Sequence, residues 1–297
     1  MSAAQPLFAL WVQQQLRDVE AALQAWVPAD APAALGTAMR YGVLDGGKRL
    51  RPLLVMAACE AVSGDTNAAL RAAVAVELIH AYSLVHDDMP CMDNDVMRRG
   101  KPTVHVQFGQ AQAMLAGDAM QALAFEVLTP VAGMDATLQA RLCGLLARAA
   151  GHAGMAGGQA VDLASGGQVL DVAALQAMHE RKTGALLQAS VLMGGACGRT
   201  NDAQWQALRD YGAMMGLAFQ VVDDILDVTQ MSDVLGKTAG KDRHANKPTY
   251  VSVLGLDRSR QRAQALQERS LEALRRGRLP APEKLQQLAA MVVDRDS

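Results

Sequence analysis

Apolar residues recur three and four positions apart along most of the chain, and stretches in which polar and apolar residues alternate are almost absent. This period is that of helices with one buried face, and the abundance of alanine, leucine, glutamine and arginine favours helix further. We therefore predict an all-α fold. The predicted helices are Leu7–Trp26, Ala33–Val43, Arg49–Val62, Ala68–Asp88, Gln110–Leu128, Ala136–Met155, Val172–Gly194, Asp202–Thr229, Arg258–Leu274 and Pro282–Val293.

Two segments, Ala68–Val85 and Tyr211–Val222, are apolar on most faces, which is typical of helices buried in a large bundle. Turn residues at Gly157–Gly158 and Ser165–Gly167 are expected to end helices. The sequence contains no interdomain linker, fixed-period repeat or low-complexity tract. We therefore expect a single domain over residues 1–297.

Charge and composition narrow the class of protein. The chain has 28 lysines and arginines against 30 aspartates and glutamates, so it lacks the surplus positive charge of a general nucleic-acid binder. Its four cysteines have no metal-ligand spacing. The apolar stretches are too short to span a bilayer, and the first residues lack the basic region of a secretory signal. We expect a cytoplasmic enzyme or binding protein.

Two aspartate clusters interrupt apolar helices. In the second cluster, Gln220, Asp223, Asp224 and Asp227 fall at relative positions 0, 3, 4 and 7, so they share one stripe of a helix. Burial of an acidic stripe is costly unless it faces a wet cavity or a cation. The stripe therefore indicates a functional site.

The first cluster, His86–Asp95, follows the same logic. His80, Ser83 and Asp87 share one stripe, and Pro90 should end the helix and let Asp93 fold back towards Asp87. Oxygen ligands without cysteine or paired histidines favour a hard cation, Mg²⁺ before Zn²⁺. Together the clusters predict a magnesium site.

Basic residues suited to a polyanion accompany the aspartates. Lys48 and Arg51 lie three residues apart in the glycine turn Gly46–Pro52, where a helix N-terminus can bind an anion. Arg49 stands where a Walker A loop needs Ser or Thr, and no strand precedes it, so we reject a P-loop. Further candidates are Arg98 and Arg99, Lys182 beside Gly184, which should loosen its helix, and Lys237, Lys241 and Lys247.

These residues resemble the trans-isoprenyl diphosphate synthases, and are most similar to bacterial farnesyl diphosphate synthases. The resemblance extends from Gly46 to Tyr250 through GGKRLRP, HAYSLVHDDMPCMDNDVMRRG, AGDAMQALAFEVL, GGQAVDL, KTGALLQAS, GLAFQVVDDILDV and LGKTAGKD. It implies a homodimer of large helical bundles, each with a central active-site cavity. It also implies a Mg²⁺-dependent prenyltransferase that joins isopentenyl diphosphate head-to-tail to dimethylallyl or geranyl diphosphate and releases diphosphate.

The resemblance further implies a role for each residue. Mg²⁺ on the allylic diphosphate would be ligated by Asp87, Asp93 and Asp223, with Asp227 supporting the water shell. The same diphosphate would be held by Arg98, Lys182, Lys237 and Lys247. Isopentenyl diphosphate would be bound by Lys48, Arg51, His80 and Arg99. Oxygen dipoles would be presented to the allylic cation by Thr183 and Gln220. The expected catalytic set is Lys182, Thr183, Gln220, Asp87 and Asp223.

Chain length should depend on the depth of the cavity. Tyr82 lies five residues before Asp87, about one and a half helical turns, and should form the floor of the hydrophobic channel. The small Ser83 beside it leaves some depth. We therefore expect farnesyl diphosphate as the product, with geranyl and geranylgeranyl diphosphate as alternatives.

The sequence admits three other interpretations. A terpene cyclase has no use for the second diphosphate site that GGKRLRP and His80 indicate. A di-iron bundle of the ferritin kind, suggested by the E-x-x-H at Glu77–His80, needs a second such motif. An inactive subunit is disfavoured by the intact aspartate motifs. Asn94 and Val251 depart from the family pattern without removing an expected catalytic group.

Overall fold

The computed structural model describes residues 4–44, 46–166, 170–229 and 248–294, and it confirms the all-α fold. Within these residues the helices are α1 (Ala4–Trp26), α2 (Leu35–Val43), α3 (Leu50–Ala61), α4 (Thr66–Asp87), α5 (Val104–Phe108), α6 (Gln110–Leu128), α7 (Ala136–Ala150), α8 (Met155–Ala164), α9 (Val172–His179), α10 (Ala185–Ala196), α11 (Asp202–Thr229), α12 (Tyr250–Leu254), α13 (Leu256–Gly277) and α14 (Glu283–Val293). A short hairpin pairs β1 (Met97–Arg98) with β2 (Lys101–Pro102).

Helix α4 is the central helix of the largest apolar core. Asp65 caps its first turn, because the carboxylate accepts hydrogen bonds from the backbone N of Asn67 at 2.8 Å and of Ala68 at 3.3 Å. The helix packs against α3 and α6. By length and composition α4 could also cross a membrane, but 72% of its apolar window is buried inside the protein. Its hydrophobicity is thus that of a core helix.

Helix α11 organises the other side of the bundle, where it packs against α10 and α13. Tyr211 is fully buried, and its hydroxyl donates a hydrogen bond to the Leu285 carbonyl at 2.7 Å. That bond joins α11 to α14. The second aspartate cluster lies in the last turns of α11, so the packing of this helix determines where those carboxylates point.

Two boundary predictions are wrong. The helix expected to reach Met155 ends at Ala150, and Gly157–Gly158 lie inside α8 instead of ending a helix. The physical reason is a tertiary contact: a Cβ on Gly158 would overlap the backbone of Lys182. Glycine is therefore needed here for close packing between helices, not for a turn.

The predicted loosening of the helix near Gly184 is confirmed. Glu180–Gly184 form a single π-helical turn between α9 and α10, and such turns are frequent at functional sites. The turn packs tightly on α11, because a Cβ on Gly216 would lie only 2.6 Å from the Cα of Gly184. Lys182 and Thr183 are carried by this turn.

Candidate active site

The first aspartate cluster lies where α4 ends. Asp87 is the last residue of the helix, and Pro90 prevents the helix from continuing. The chain then turns back, so that Asp93 N donates to the Asp87 carbonyl at 2.8 Å and Asp95 N donates to the Asp88 carbonyl at 3.0 Å. The predicted return of Asp93 to Asp87 is thereby confirmed.

The carboxylates of this cluster repel one another. Burial raises the pKa of Asp87 to about 6. The positive charges of Lys182 and Arg98 oppose this shift, whereas the negative charges of Asp93 and Asp88 add to it. A cation placed between the carboxylates would relieve the repulsion, and their oxygens are ligands that Mg²⁺ prefers. The donor set at the end of α4 therefore fits magnesium.

The second cluster, on α11, divides its aspartates between two environments. Asp223 is partly exposed, whereas Asp224 and Asp227 are 2% and 5% exposed. Asp224 accepts hydrogen bonds from Gln220 Nε2 at 2.8 Å and from the backbone N of Tyr250 at 2.7 Å. Asp224 thus fastens α12 to α11 and orients Gln220.

The four predicted metal ligands are not gathered into one closed group. Asp87 and Asp93 are brought together on one side, and Asp223 and Asp227 lie on α11. Across the described ranges, no three His, Cys, Asp or Glu side chains are grouped closely enough to hold a metal ion by themselves. Ligand oxygens from another molecule would be needed to complete the coordination.

A buried arginine that the sequence analysis did not assign to the site fixes the basic turn before α3. Arg49 is 4% exposed and has a positive φ of 44°. It donates to Glu20 Oε1 at 2.7 Å, to Glu77 Oε1 at 2.6 Å and to the Val43 carbonyl at 2.6 Å. These bonds tie the turn before α3 to α1, α4 and α2.

Arg51 faces both acidic helices. Burial lowers the pKa of its guanidinium, and the negative charges of Glu77 on α4 and Asp223 on α11 oppose that shift. The side chain is therefore within electrostatic reach of the second aspartate cluster. Lys48, in the preceding turn, is exposed.

Arginines converge on His80. The turn of the β1–β2 hairpin, Arg99–Gly100, has positive φ at both positions, and it directs Arg99 Nη1 to the Gly46 carbonyl at 2.7 Å. Burial lowers the pKa of His80 well below its ordinary value, and the positive charges of Arg51, Arg99, Arg98 and Arg49 act in the same direction. A neutral histidine surrounded by cations is a suitable place for a bound anion.

Arg98 is held differently. Its Nε and Nη2 donate to the Asp88 carboxylate at 2.6–3.0 Å, and the side chain is 33% exposed. The bidentate pair fixes the guanidinium beside the first aspartate cluster. Its predicted role with an allylic diphosphate stays a prediction.

The π-turn brings three predicted catalytic residues together. Thr183 Oγ1 donates to Gln220 Oε1 at 2.9 Å, and Gln220 in turn donates to Asp224. Because the Thr183 hydroxyl uses its proton for this bond, its lone pairs stay available. Lys182 Nζ donates to Asp162 Oδ2 at 2.5 Å, and its positive charge reaches Asp87. The sequence predicted neither the helix α8 nor a role for Asp162, although Asp162 lies within the motif GGQAVDL.

One cavity of about 400 Å³ joins these parts. Its polar lining includes Arg51, His80, Asp87, Lys182 and Thr183. The remaining lining residues are Tyr82, Ser83, Leu84, His86, Met92, Met155, Ala156, Gln159, Ala160 and Leu163. Charged groups thus border a channel that is otherwise mainly apolar.

Tyr82 lies in this channel as predicted. The residue is 9% exposed, and its ring meets His86 edge-on with 5.7 Å between the ring centroids. Burial raises the pKa of its phenol. Lys237, Lys241 and Lys247, which were also predicted for the site, lie outside the described residues.

Comparisons with known proteins agree with this geometry. The model of the polyprenyl synthetase family matches residues 32–289. The chain is 48% identical over 272 residues to geranylgeranyl pyrophosphate synthase 12 of Arabidopsis thaliana, covering 90% of this chain and 76% of the relative. An FPP/GFPP synthase of Zymomonas mobilis superposes with a TM-score of 0.85 at 40% identity, over 96% and 98% of the two chains.

A geranyltransferase of Helicobacter pylori, solved with magnesium and isoprenyl diphosphate, superposes with a TM-score of 0.84 at 33% identity, over 99% of this chain and 98% of the other. The all-α fold, the cavity and these matches define a prenyltransferase. The chain belongs to the polyprenyl synthetase family. The curated relatives are mostly geranylgeranyl synthases, so the comparisons favour the geranylgeranyl alternative over the farnesyl product expected from the sequence.

Proposed function

We propose that this protein joins isopentenyl diphosphate head-to-tail to an allylic diphosphate and releases inorganic diphosphate. The observation that carries the proposal is the cavity itself. Two charged rims border it: Asp87 with Lys182, whose charge reaches Asp87, and His80 with Arg51, whose charge reaches His80. The rest of its lining is mainly apolar. Two anionic substrates with apolar tails match two charged rims around one channel.

The allylic diphosphate is assigned to the aspartate rim. Asp87, Asp93, Asp223 and Asp227 would hold Mg²⁺ together with diphosphate oxygens, and the bound metal supplies positive charge that stabilises the departing diphosphate. Lys182 and Arg98 add positive charge from the protein, and Lys237 and Lys247 are expected to join them.

Isopentenyl diphosphate is assigned to the other rim, where Arg51 and His80 border the cavity and Lys48 and Arg99 are expected to join them. When the allylic C–O bond breaks, its electron pair leaves with the diphosphate and an allylic cation forms. The alkene of isopentenyl diphosphate then bonds to that cation, and the released diphosphate takes the proton that is lost. Thr183 lone pairs face the cation, and the apolar walls exclude water that would otherwise trap it.

For the product we propose farnesyl diphosphate, because Tyr82 is buried and borders the channel about 7.5 Å below Asp87 along α4. Geranylgeranyl diphosphate is the second candidate, and the names of the curated relatives favour it. A tail of twenty carbons would have to extend beyond Tyr82.

Product chromatography tests whether the protein catalyses this condensation. Labelled isopentenyl diphosphate and dimethylallyl diphosphate are incubated with Mg²⁺ and the wild type, Asp87→Ala, Asp223→Ala, or the control Asp30→Ala, which removes an exposed carboxylate. We expect a prenyl product from the wild type and from Asp30→Ala, and loss of it in the other two variants. Absence of product from the wild type would refute the proposed function.

We also expect a homodimer, as the resemblance implies. Light scattering of the purified chain measures its mass directly. A mass of about one chain, at the concentration of the activity assay, would contradict this expectation.

A further inference from the structure

Helix α8 places a buried carboxylate directly behind a substrate-facing lysine. Asp162 is 8% exposed, and its Oδ2 accepts a hydrogen bond from Lys182 Nζ at 2.5 Å. The lysine side chain is 25% exposed and borders the cavity. The ion pair therefore has one buried end and one end in the active site.

The same helix also holds the backbone of Lys182. Gly158, one turn before Asp162 and so on the same face of α8, packs so closely on the π-turn that a Cβ would overlap the Lys182 backbone. Helix α8 thus contacts Lys182 at both its backbone and its head group. Neither contact involves a residue of the two aspartate clusters.

The pairing leaves the lysine equipped to bind an anion. An ammonium group has three donors; one is used by Asp162, so two remain for another acceptor. A free lysine has a flexible four-carbon stem and loses rotamer entropy when it binds. A lysine already anchored by a carboxylate has lost much of that freedom beforehand.

The lysine also shares the cavity with the first aspartate cluster. Its ammonium group is hydrogen-bonded to Asp162, and both Lys182 and Asp87 border the cavity. His179 lies near the pair, but burial lowers the pKa of this histidine to about 4 and leaves it neutral. It therefore adds no second positive charge beside Asp162.

We propose that Asp162 is a positioning residue, which holds the Lys182 ammonium towards the diphosphate of the allylic substrate. This inference rests on the proposed function, because it takes that diphosphate as the acceptor. Asp162 itself acts through Lys182 and does not touch the substrate.

A double-mutant cycle tests the inference. kcat and KM are measured for geranyl diphosphate and, separately, for isopentenyl diphosphate in the wild type, Asp162→Asn, Lys182→Ala and the double variant. We expect Asp162→Asn to lower kcat/KM for the allylic substrate about 10- to 100-fold, by analogy with residues that orient the ligands of a metal ion. KM for isopentenyl diphosphate should change less than about twofold, because Lys182 lies on the other rim.

In the Lys182→Ala background the same change should cost less than about twofold, because Asp162 then has no lysine to position. Equal losses in both backgrounds would overturn the inference. Asp30→Asn, the same chemical change at an exposed site, controls for the loss of one negative charge. An inactive wild type would instead refute the proposed function.

Thermal unfolding of each variant shows whether it is folded. If Asp162→Asn does not fold, Asp162→Glu replaces it in the cycle, since it keeps the charge and moves the carboxylate. We expect the kcat/KM of Asp162→Glu to lie between those of the wild type and Lys182→Ala. Adding Asp162→Glu to Lys182→Ala should again cause no further loss of kcat/KM. An additive loss in this second cycle would also overturn the inference.

Discussion

Tyr82→Ala should lengthen the product by one isoprene unit. The Tyr82 ring borders the channel and packs edge-on against His86. Once it is removed, the next side chains on that face of α4, Leu78 and Ile79, lie one helical turn deeper, about 5.4 Å. An isoprene unit adds four carbon–carbon bonds of about 1.5 Å to the main chain, which span about 5 Å in zigzag.

The assay is reverse-phase chromatography of dephosphorylated products made from labelled isopentenyl diphosphate and geranyl diphosphate. We expect farnesol from the wild type and geranylgeraniol from Tyr82→Ala. Tyr82→Phe is the matched control, because it keeps the ring and removes only the hydroxyl. Its product should be that of the wild type.

The Tyr82→Ala variant should remain folded. Replacing a large aromatic residue by alanine in a closed core costs about 3–5 kcal/mol. Because Tyr82 already borders a cavity, we expect less than about 3 kcal/mol. Geranylgeraniol as the main product of the wild type, or an unchanged product from Tyr82→Ala, would refute the assignment of Tyr82 as the floor.

Three further predictions concern stability and the π-turn. Burial lowers the pKa of His179 to about 4, below the roughly 6.5 of a histidine in an unfolded chain, so protonation favours the unfolded state as the pH falls from about 6.5 towards 4. Between pH 7.5 and 5, the free energy of unfolding measured by urea titration should fall by about 2 kcal/mol more for the wild type than for His179→Phe. Equal losses in the two proteins would contradict this assignment. Arg49→Met leaves buried Glu77 without its cation and should cost about 3–5 kcal/mol, whereas a loss below about 1 kcal/mol would show that the network contributes little. Gly216→Ala places a Cβ 2.6 Å from the Gly184 Cα and should cost about 1–3 kcal/mol and lower kcat; unchanged kinetics would separate this contact from catalysis.

Most helix positions could be predicted, because apolar residues recur at the helical period within each helix. The helices Gln110–Leu128 and Asp202–Thr229 have the predicted bounds, since their apolar residues follow one face without interruption. The pair Gly157–Gly158 predicts a turn, because glycine lowers helix propensity. That local cost is offset by close packing of α8 on the π-turn, a contact between residues more than twenty positions apart.

The site residues show the same division. Asp87 and Asp93 could be placed together from sequence, because a proline after a helix end forces a local reversal. The hydrogen bonds of Asp224 to Gln220 and to Tyr250 N lie within one helix and across two helices respectively. The bond to Gln220 follows from the spacing of four residues, whereas the bond to Tyr250 N depends on the packing of two helices and could not be predicted.

The two residues that sequence analysis missed, Arg49 and Asp162, have one property in common. Each is a buried charge next to a cation that borders the cavity: Arg49 precedes Arg51 by two residues, and Asp162 pairs with Lys182 across helices. Buried charges need partners, and these partners come from distant parts of the chain, so no local period reveals them. A flexible cationic side chain gains precision from such support at the cost of desolvating a second charge. For Lys182, the position of the ammonium group should therefore matter for substrate binding as well as its charge.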